Sequence, residues 1–460
     1  MPGPPQPQTA TSDRTQEQWG ERIAKPLQSL ALRLGLTPTR FSRAASAVVL
    51  VFLASVPAAS ALSLVDGRSV EDFAQYYMGG LMVVQGDAQA LYPKPEAGAT
   101  GNAGWAHHSR MRPAYREAAE ARHIAEENRF IQVPMMALLF APLALMPYGW
   151  ALALWQGAMV FFCWRVACAC GRLYSMLSGR PGYTAGLLIL VAGVSPLMYR
   201  TLRTGTQISP LVAYLITLGM LALWRRRECQ AAGAVLISGL AKYAGFIVVP
   251  LALLRRQWRA TIGVVVGLVG LTVATLVVIG FEPFYIFAKQ IAPTLGRPSS
   301  VALNQSLPAF ALRILDVKQL PAPLAYALRG AGLGVMASVL VLLWRRRRAL
   351  QLCFSCHLAA GGALILTLLI FSPINWPHYF LYIVPLWAWL AWEAKQRWRL
   401  WPVVALIIAA MWLPLCAVRG GQLPIPEPLM SHMLLAAIAM LALSVWRLYH
   451  APPSNENQPE

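Results

Sequence analysis

The sequence predicts an all-α polytopic membrane protein, and three observations carry that prediction. Of its 460 residues, 57% are hydrophobic and 13% charged, about half the charged share of a soluble domain. Mean hydropathy is +0.51. The apolar residues gather in long blocks, with room for about 12 transmembrane segments at about 20 residues each. The basic residues stand in short clusters at the ends of these blocks, the pattern that orients a multispanning chain. The net charge of +20, from 39 Lys+Arg against 19 Asp+Glu, therefore reads as membrane orientation and not as a nucleic-acid surface. A soluble enzyme, a disordered scaffold and a secreted disulfide framework are excluded. The seven cysteines show no paired extracellular spacing.

Taken in order, residues 1–43 form a cytoplasmic N-terminal segment, Pro-, Gln- and Thr-rich up to residue 20. Ile23, Leu27, Leu30 and Leu34 then make an amphipathic stripe among Arg22, Lys25 and Arg33, suited to the inner leaflet. A membrane domain follows over 44–448, its first span near 44–64. Arg225–Arg227, Arg255–Arg259, Arg345–Arg348 and Lys395–Arg399 each close an apolar block and are expected inside. Spans near 149–170, 183–199 and 207–224 satisfy that orientation only if 131–147 is no full crossing. That stretch carries Pro134, Pro142 and Pro147 and is expected as a juxtamembrane or re-entrant segment. It closes a large outer loop over 65–148.

Between Glu228, which directly follows Arg227, and Arg255 lies a largely apolar stretch broken by a single charge, Lys242. One crossing would put the two clusters on opposite sides. Two half-spans meeting near Lys242 keep both inside, as in discontinuous helices that line a polar cavity. Further spans are expected near 260–280, 321–344, 357–372, 379–392, 400–416 and 431–448, with a second outer loop at 281–320. Residues 449–460 form a cytoplasmic tail, so both termini are inside.

The outer side gathers the chemistry. Of five aspartates, Asp66, Asp72, Asp87 and Asp316 are expected outside. Asp72 opens a helix whose apolar face is Phe73, Tyr76, Tyr77, Gly80, Leu81 and Val84, ending at Gly86. Ser69-x-x-Asp72 has the form of a capping box; the competing role is a general base at the membrane surface. Arg200 and Arg203 stand on an outer loop that runs to Gln207, where contact with lipid headgroups is the plain alternative. A Lys within an apolar segment, such as Lys242, is a functional candidate by default. Asn304-Gln305-Ser306 and Ser372-Pro373-Ile374-Asn375-Trp376-Pro377-His378 complete the outer set. There His378 is a catalytic candidate weighed against a structural hydrogen-bonding role.

These residues resemble glycosyltransferase family 87. The resemblance begins with Asp72-Phe73-x-x-Tyr76-Tyr77, Gly86 and Leu91-Tyr92, and continues through Ala141-Pro142-Leu143-Ala144-Leu145-Met146-Pro147. It then takes in Gly205-x-Gln207, Ala232-Gly233, Gly239-Leu240-Ala241-Lys242 and Asn304-Gln305-Ser306, and ends at Ser372–His378, collinear over roughly residues 66–400. Asn375 stands where the family often has Ser, and Tyr379 where it has a second His. The resemblance implies a GT-C-type helical bundle. It also implies transfer of a hexosyl group, typically mannosyl, from a polyprenyl-phosphate donor to a glycolipid or glycan hydroxyl. That reaction would occur at the outer face of a bacterial plasma membrane. Asp72 becomes the base, while Lys242 with Arg200 or Arg203 neutralises the departing phosphate. Tyr76, Tyr77, Gln207, Asn304, Gln305 and Asn375 line the cleft. One base implies inversion, because a retaining double displacement needs two close carboxylates. Neither a cofactor nor a metal is expected, and membrane lipids are the surrounding partner.

The competing function is a polytopic transporter or lipid-linked glycan flippase, which would also break a helix at an intramembrane charge. Such a protein should show a repeat between halves and acidic residues inside its spans, and none of the 19 acidic residues falls mid-span. Two motifs point elsewhere. Cys353-Phe354-Ser355-Cys356-His357 has the form of a haem attachment sequence, but it follows an inside cluster, so a pair of thiols is expected. His107, His108 and His123 fit no standard metal spacing.

Overall fold

The computed structural model describes residue 29 and residues 35–64, 71–93, 111–124, 129–179, 181–203, 207–412 and 427–451. The N-terminal stripe, Asp66, Ser69, His107, His108 and the tail beyond 451 lie outside them. The described residues fold entirely as helices and turns, with no strand among them. Helices α1 (Pro38–Leu64), α2 (Glu71–Val84), α3 (Pro113–Glu120) and α4 (Pro134–Ala144) come first. They are followed by α5 (Tyr148–Ser178), α6 (Tyr183–Gly193), α7 (Pro196–Arg203), α8 (Ser209–Trp224) and α9 (Glu228–Ala241). The second half contains α10 (Trp258–Ile279), α11 (Leu307–Ile314), α12 (Ala322–Arg345) and α13 (Phe354–Phe371). It ends with α14 (Trp387–Gln396), α15 (Trp401–Trp412) and α16 (His432–Tyr449). Seven stretches are long and apolar enough to cross a membrane, and five shorter apolar helices accompany them. This is a polytopic membrane protein.

Burial sorts the long helices. In α13, 83% of the most apolar window is buried, against 17% in α10 and α12. The small run Ala359-Ala360-Gly361-Gly362-Ala363 lets neighbouring helices close in on α13. By contrast, α10 turns Ile262, Val265, Val266, Val269 and Val273 outward. A side so exposed and so apolar suits lipid contact.

Local breaks follow the prolines. The expected span 183–199 divides into α6 and α7 ahead of Pro196. The first half of the expected span 379–392 is a 3₁₀ segment, Pro377–Leu386, with Pro377 at its start and Pro385 inside it. Segment 131–147 forms only α4, 11 residues long, about 16 Å at 1.5 Å per residue and too short to cross. The region 281–320, expected as a loop, carries helical turns over Glu282–Leu295 and then α11.

Polarity along the chain is consistent. Helix α8 runs from Gln207 toward Arg225, α9 returns from Arg227 to Lys242, and a 3₁₀ turn with the short helix Val249–Leu254 leads back to Arg255. The 14 residues of α9 separate Lys242 from Arg227 by about 21 Å. The basic turns share one end of the bundle: Gln257 Nε2 donates to Leu223 O at 2.6 Å, and Arg255 donates to Leu350 O.

Helix α2 is fixed by its aromatic face. Phe73 stacks on Tyr148 and Trp155 at centroid distances of 5.9 and 5.6 Å. Tyr76 stacks on Phe140 at 4.7 Å, and Tyr77 donates to Met146 O at 2.9 Å. Closest approach to α4 occurs at Gly80, where a Cβ would lie 2.6 Å from the Phe140 carbonyl and 2.9 Å from Ala141 N. Backbone cannot yield there as a side-chain tip would. Gly80→Val should therefore cost about 1–3 kcal/mol by overpacking, read as a lower Tm in detergent. A Tm equal to wild type would show that α2 is free to move off α4.

Candidate active site

A cavity of about 650 Å³ opens at the end of the bundle away from the arginine clusters. That volume is within the range of small-molecule sites. Five stretches supply its polar groups, the one before α4 giving Gln132. Helix α2 contributes Asp72 and Gln75; α7 and the residues after it contribute Arg200, Thr201 and Gln207; the break after α9 contributes Lys242; and the segment before α14 contributes Trp376, His378 and Tyr379. Phe246, Leu268, Phe287, Leu295 and Leu303 extend it as an apolar surface, with Leu268 on the outward-facing α10.

The helical period explains why α2 offers Asp72. At 100° per residue, Phe73, Tyr77 and Gly80 centre on one side, and Asp72 and Gln75 on another. Tyr76 falls on the seam. Its ring is buried against Phe140, and burial pushes its phenol well up, opposed by the nearby Lys242 charge and reinforced by Asp72. It therefore stays protonated, a neutral hydroxyl beside an acid and a base. Asp72 is the single carboxylate among the described lining residues.

Lys242 is presented by a break in the backbone. It takes φ −152° and ψ 123° at the end of α9, and its N–H still bonds to Ser238 O. The chain then doubles back so closely that a Cβ at Gly245 would collide with Ser238 and the Gly239 backbone. The Lys242 ammonium lies 5.4 Å from the centre of the Tyr379 ring and 3.5 Å from its hydroxyl. Tyr243 OH and Ser372 Oγ are 2.8 Å apart, and Ser372 donates to Ile374 O at 2.8 Å. These bonds tie the break to the wall that carries His378, whose ring meets Tyr379 edge-on at 4.7 Å.

The cavity thus brings together Asp72, Arg200, Gln207, Lys242 and His378 from the expected set. Gln207 Oε1 is buried without a hydrogen-bond partner among the described residues. Arg203 turns outward, with its guanidinium 5.9 Å from the Tyr199 ring centre and bonded to that hydroxyl at 3.3 Å. Tyr76 and Tyr77 pack into the core and are not in the lining.

Asn304, Gln305 and Asn375, expected as cleft lining, are fully buried behind the wall. Asn304 Oδ1 accepts Asn375 N–H at 2.8 Å, and its Nδ2 donates to Pro373 O at 2.9 Å. Gln305 N–H donates to Asn375 O at 2.8 Å and its Nε2 to Met430 O at 2.9 Å. Asn375 Nδ2 returns a bond to Gln305 O at 3.2 Å. Irregular backbone inside an apolar bundle needs partners for its N–H and C=O groups, and these amides supply them. Asn304→Ala strips several buried bonds at once. It should lower stability by at least about 2 kcal/mol, measured by thermal unfolding in detergent; an unchanged Tm would mean that water replaces the amide.

Sequence reasoning missed Gln75, Gln132, Thr201 and Trp376 in the lining. Gln75 was available from the helical period, three residues after Asp72; Thr201 and Trp376 stood inside stretches already assigned to the outer side, and Gln132 had no pattern to announce it. The haem-like His357 is fully buried. Its Nε2 bonds to Met220 O at 2.8 Å, and its Nδ1 lies 3.5 Å from Arg255. Both ring nitrogens are committed within the protein.

Residues 130–373 match the description of glycosyltransferase family 87, a stretch that holds Arg200, Gln207, Lys242 and Asn304 but neither Asp72 nor His378. The chain is 28% identical over 266 residues to the polyprenol-phosphate-mannose-dependent alpha-(1-2)-phosphatidylinositol pentamannoside mannosyltransferase of Mycobacterium tuberculosis (57% of this chain, 58% of the relative). It is 26% identical over 270 residues to the protein of the same name from Mycolicibacterium smegmatis (57% of this chain, 60% of the relative). The chain thus matches less than two thirds of the length of these relatives. No solved structure matches. With a match that covers more than half of its length and runs through the broken helix at Lys242, the chain belongs to glycosyltransferase family 87.

Proposed function

We propose that the protein is a polyprenyl-phosphate-sugar-dependent hexosyltransferase. It transfers a mannosyl group, by analogy with its relatives, to an acceptor hydroxyl with inversion at the anomeric carbon. The observation that carries this reading is the convergence of one carboxylate, Asp72, with two cations, Arg200 and Lys242, in one cavity that continues into an apolar surface. The cations stabilise the phosphate oxygens as the C1–O bond breaks. A phosphate neutralised in this way departs without a general acid. Asp72 accepts the proton of the attacking hydroxyl, and the acceptor oxygen bonds to C1 from the face opposite the phosphate. His378 and Gln207 hydrogen-bond substrate hydroxyls, and the polyprenyl chain runs along Phe246, Leu268 and Phe287. No second carboxylate among the described lining residues offers the nucleophile that retention requires.

The relatives' names make a phosphatidylinositol mannoside the first acceptor to test, as a glycolipid with free sugar hydroxyls. A GT-C-type bundle with about 12 crossings, counting the two half-spans, fits the helix lengths. In this arrangement the arginine clusters face the cytoplasm and the cavity faces outward. The experiment is incorporation of label from radiolabelled polyprenyl-phosphate-mannose into lipid or glycan product by membranes containing the protein. Product of inverted configuration is expected; unchanged donor delivered across the bilayer would instead support the flippase reading, which the broken helix at Lys242 also fits.

A further inference from the structure

We propose that Cys353 and Cys356 form a redox-active dithiol at the opposite end of the bundle, which exchanges with small-molecule disulfides and closes into an intramolecular disulfide. The inference is independent of the transferase reading. Cys353 is the N-cap of α13, and its sulfur accepts the Cys356 N–H at 3.3 Å. The Arg447 guanidinium reaches the same sulfur at 3.5 Å. Arg447 is itself aimed by Glu393 at 2.9 Å, and Glu393 also takes the Ser355 hydroxyl at 2.6 Å.

A helix start and a guanidinium both favour a thiolate over a thiol. The Cys353 thiol is accordingly held below its usual range, by a hydrogen bond from the Cys356 side chain first and by the cap N–H and Arg447 after it, against the opposing effect of burial. Exposure divides the roles. Cys353 is partly exposed and Cys356 is buried, so the first can meet a reagent and the second can meet only the first. Cys163 and Cys170 are buried too, with no cation or helix start at the sulfur among the described residues.

The chemistry closes without any further reactant. The Cys353 thiolate attacks one sulfur of the incoming disulfide and expels one thiolate, leaving a mixed disulfide. Cys356 gives its proton to that departing thiolate, attacks the Cys353 sulfur and expels the second thiolate, which takes a proton from solvent. The incoming disulfide is reduced to two thiols, and the protein dithiol is oxidised.

The test uses reduced full-length protein in detergent treated with oxidised glutathione, quenched in acid, alkylated and mapped by mass. In wild type, the peptide carrying both cysteines should escape alkylation and be lighter by two hydrogens. Cys356→Ser should retain a glutathione adduct on Cys353, formed about tenfold faster at pH 6 than at the exposed Cys229. Cys353→Ser should leave Cys356 unmodified. Adding Arg447→Gln to Cys356→Ser should move the pH midpoint of adduct formation upward. Reaction at Cys229 alone would overturn the proposal, as would a wild-type adduct on Cys353 that never closes.

Discussion

Asp72→Asn should reduce sugar transfer by about 10³-fold, within the usual range for a positioned general base, while expression and Tm stay near wild type. The two readouts separate the two roles open to this residue. At the third position of a capping box the side chain only accepts the cap N–H, which an amide oxygen does as well as a carboxylate, so a purely capping Asp72 would tolerate the change in both stability and activity. The fold around it does not depend on its charge, because α2 is fixed by Phe73, Tyr76 and Tyr77 against Tyr148, Trp155 and Phe140. Asp72→Glu keeps a base but moves it along the cavity, and should recover part of the rate. Wild-type turnover in Asp72→Asn, measured at matched protein levels, would remove Asp72 from the mechanism.

Lys242→Met should reduce transfer by about 10²–10³-fold, the scale on which a preorganised group stabilising transition-state charge acts. The loss should fall more on kcat than on KM, because the phosphate gains charge as C1–O breaks. Stability should move the other way or not at all: the side chain is partly buried, and an apolar isostere relieves the desolvation of its ammonium. A fall in Tm with unchanged kcat would make Lys242 a structural support of Tyr379 instead. Arg200→Gln should cost less, since Lys242 remains.

The parity of the basic clusters was enough to place the helix break. Arg225–Arg227 and Arg255 must share a side, so the chain between them has to turn back, and the structure turns it at Lys242. The same parity argues against a full crossing by 131–147, where three prolines stand and the helix is 11 residues long. The period of α2 located its packed face, although Val84 is 41% exposed.

What failed was the inference from polarity to lining. Asn304, Gln305 and Asn375 are polar in apolar company, and that pattern fits two causes: a ligand to bind or a backbone to satisfy. Sequence order does not say which, because the carbonyls they satisfy belong to Pro373, Met430 and one another's segments. Tyr76 and Tyr77 were misplaced for a related reason. Their motif signals a fixed helix, and a fixed helix displays its neighbours at positions 72 and 75. Gln132 and Trp376 reach the cavity only through the tertiary approach of α4 and the segment before α14.

In the proposed reaction the sugar arrives on a lipid phosphate and leaves on a new acceptor. The most direct measurement reconstitutes purified protein in liposomes with a phosphatidylinositol mannoside and a total membrane lipid and glycan extract as acceptors. It supplies radiolabelled polyprenyl-phosphate-mannose or radiolabelled GDP-mannose in parallel, and follows label into product. The expected result is product from the lipid donor and none from the nucleotide donor. Product from the nucleotide sugar alone, or lipid donor recovered chemically unchanged with every acceptor, would contradict that reaction.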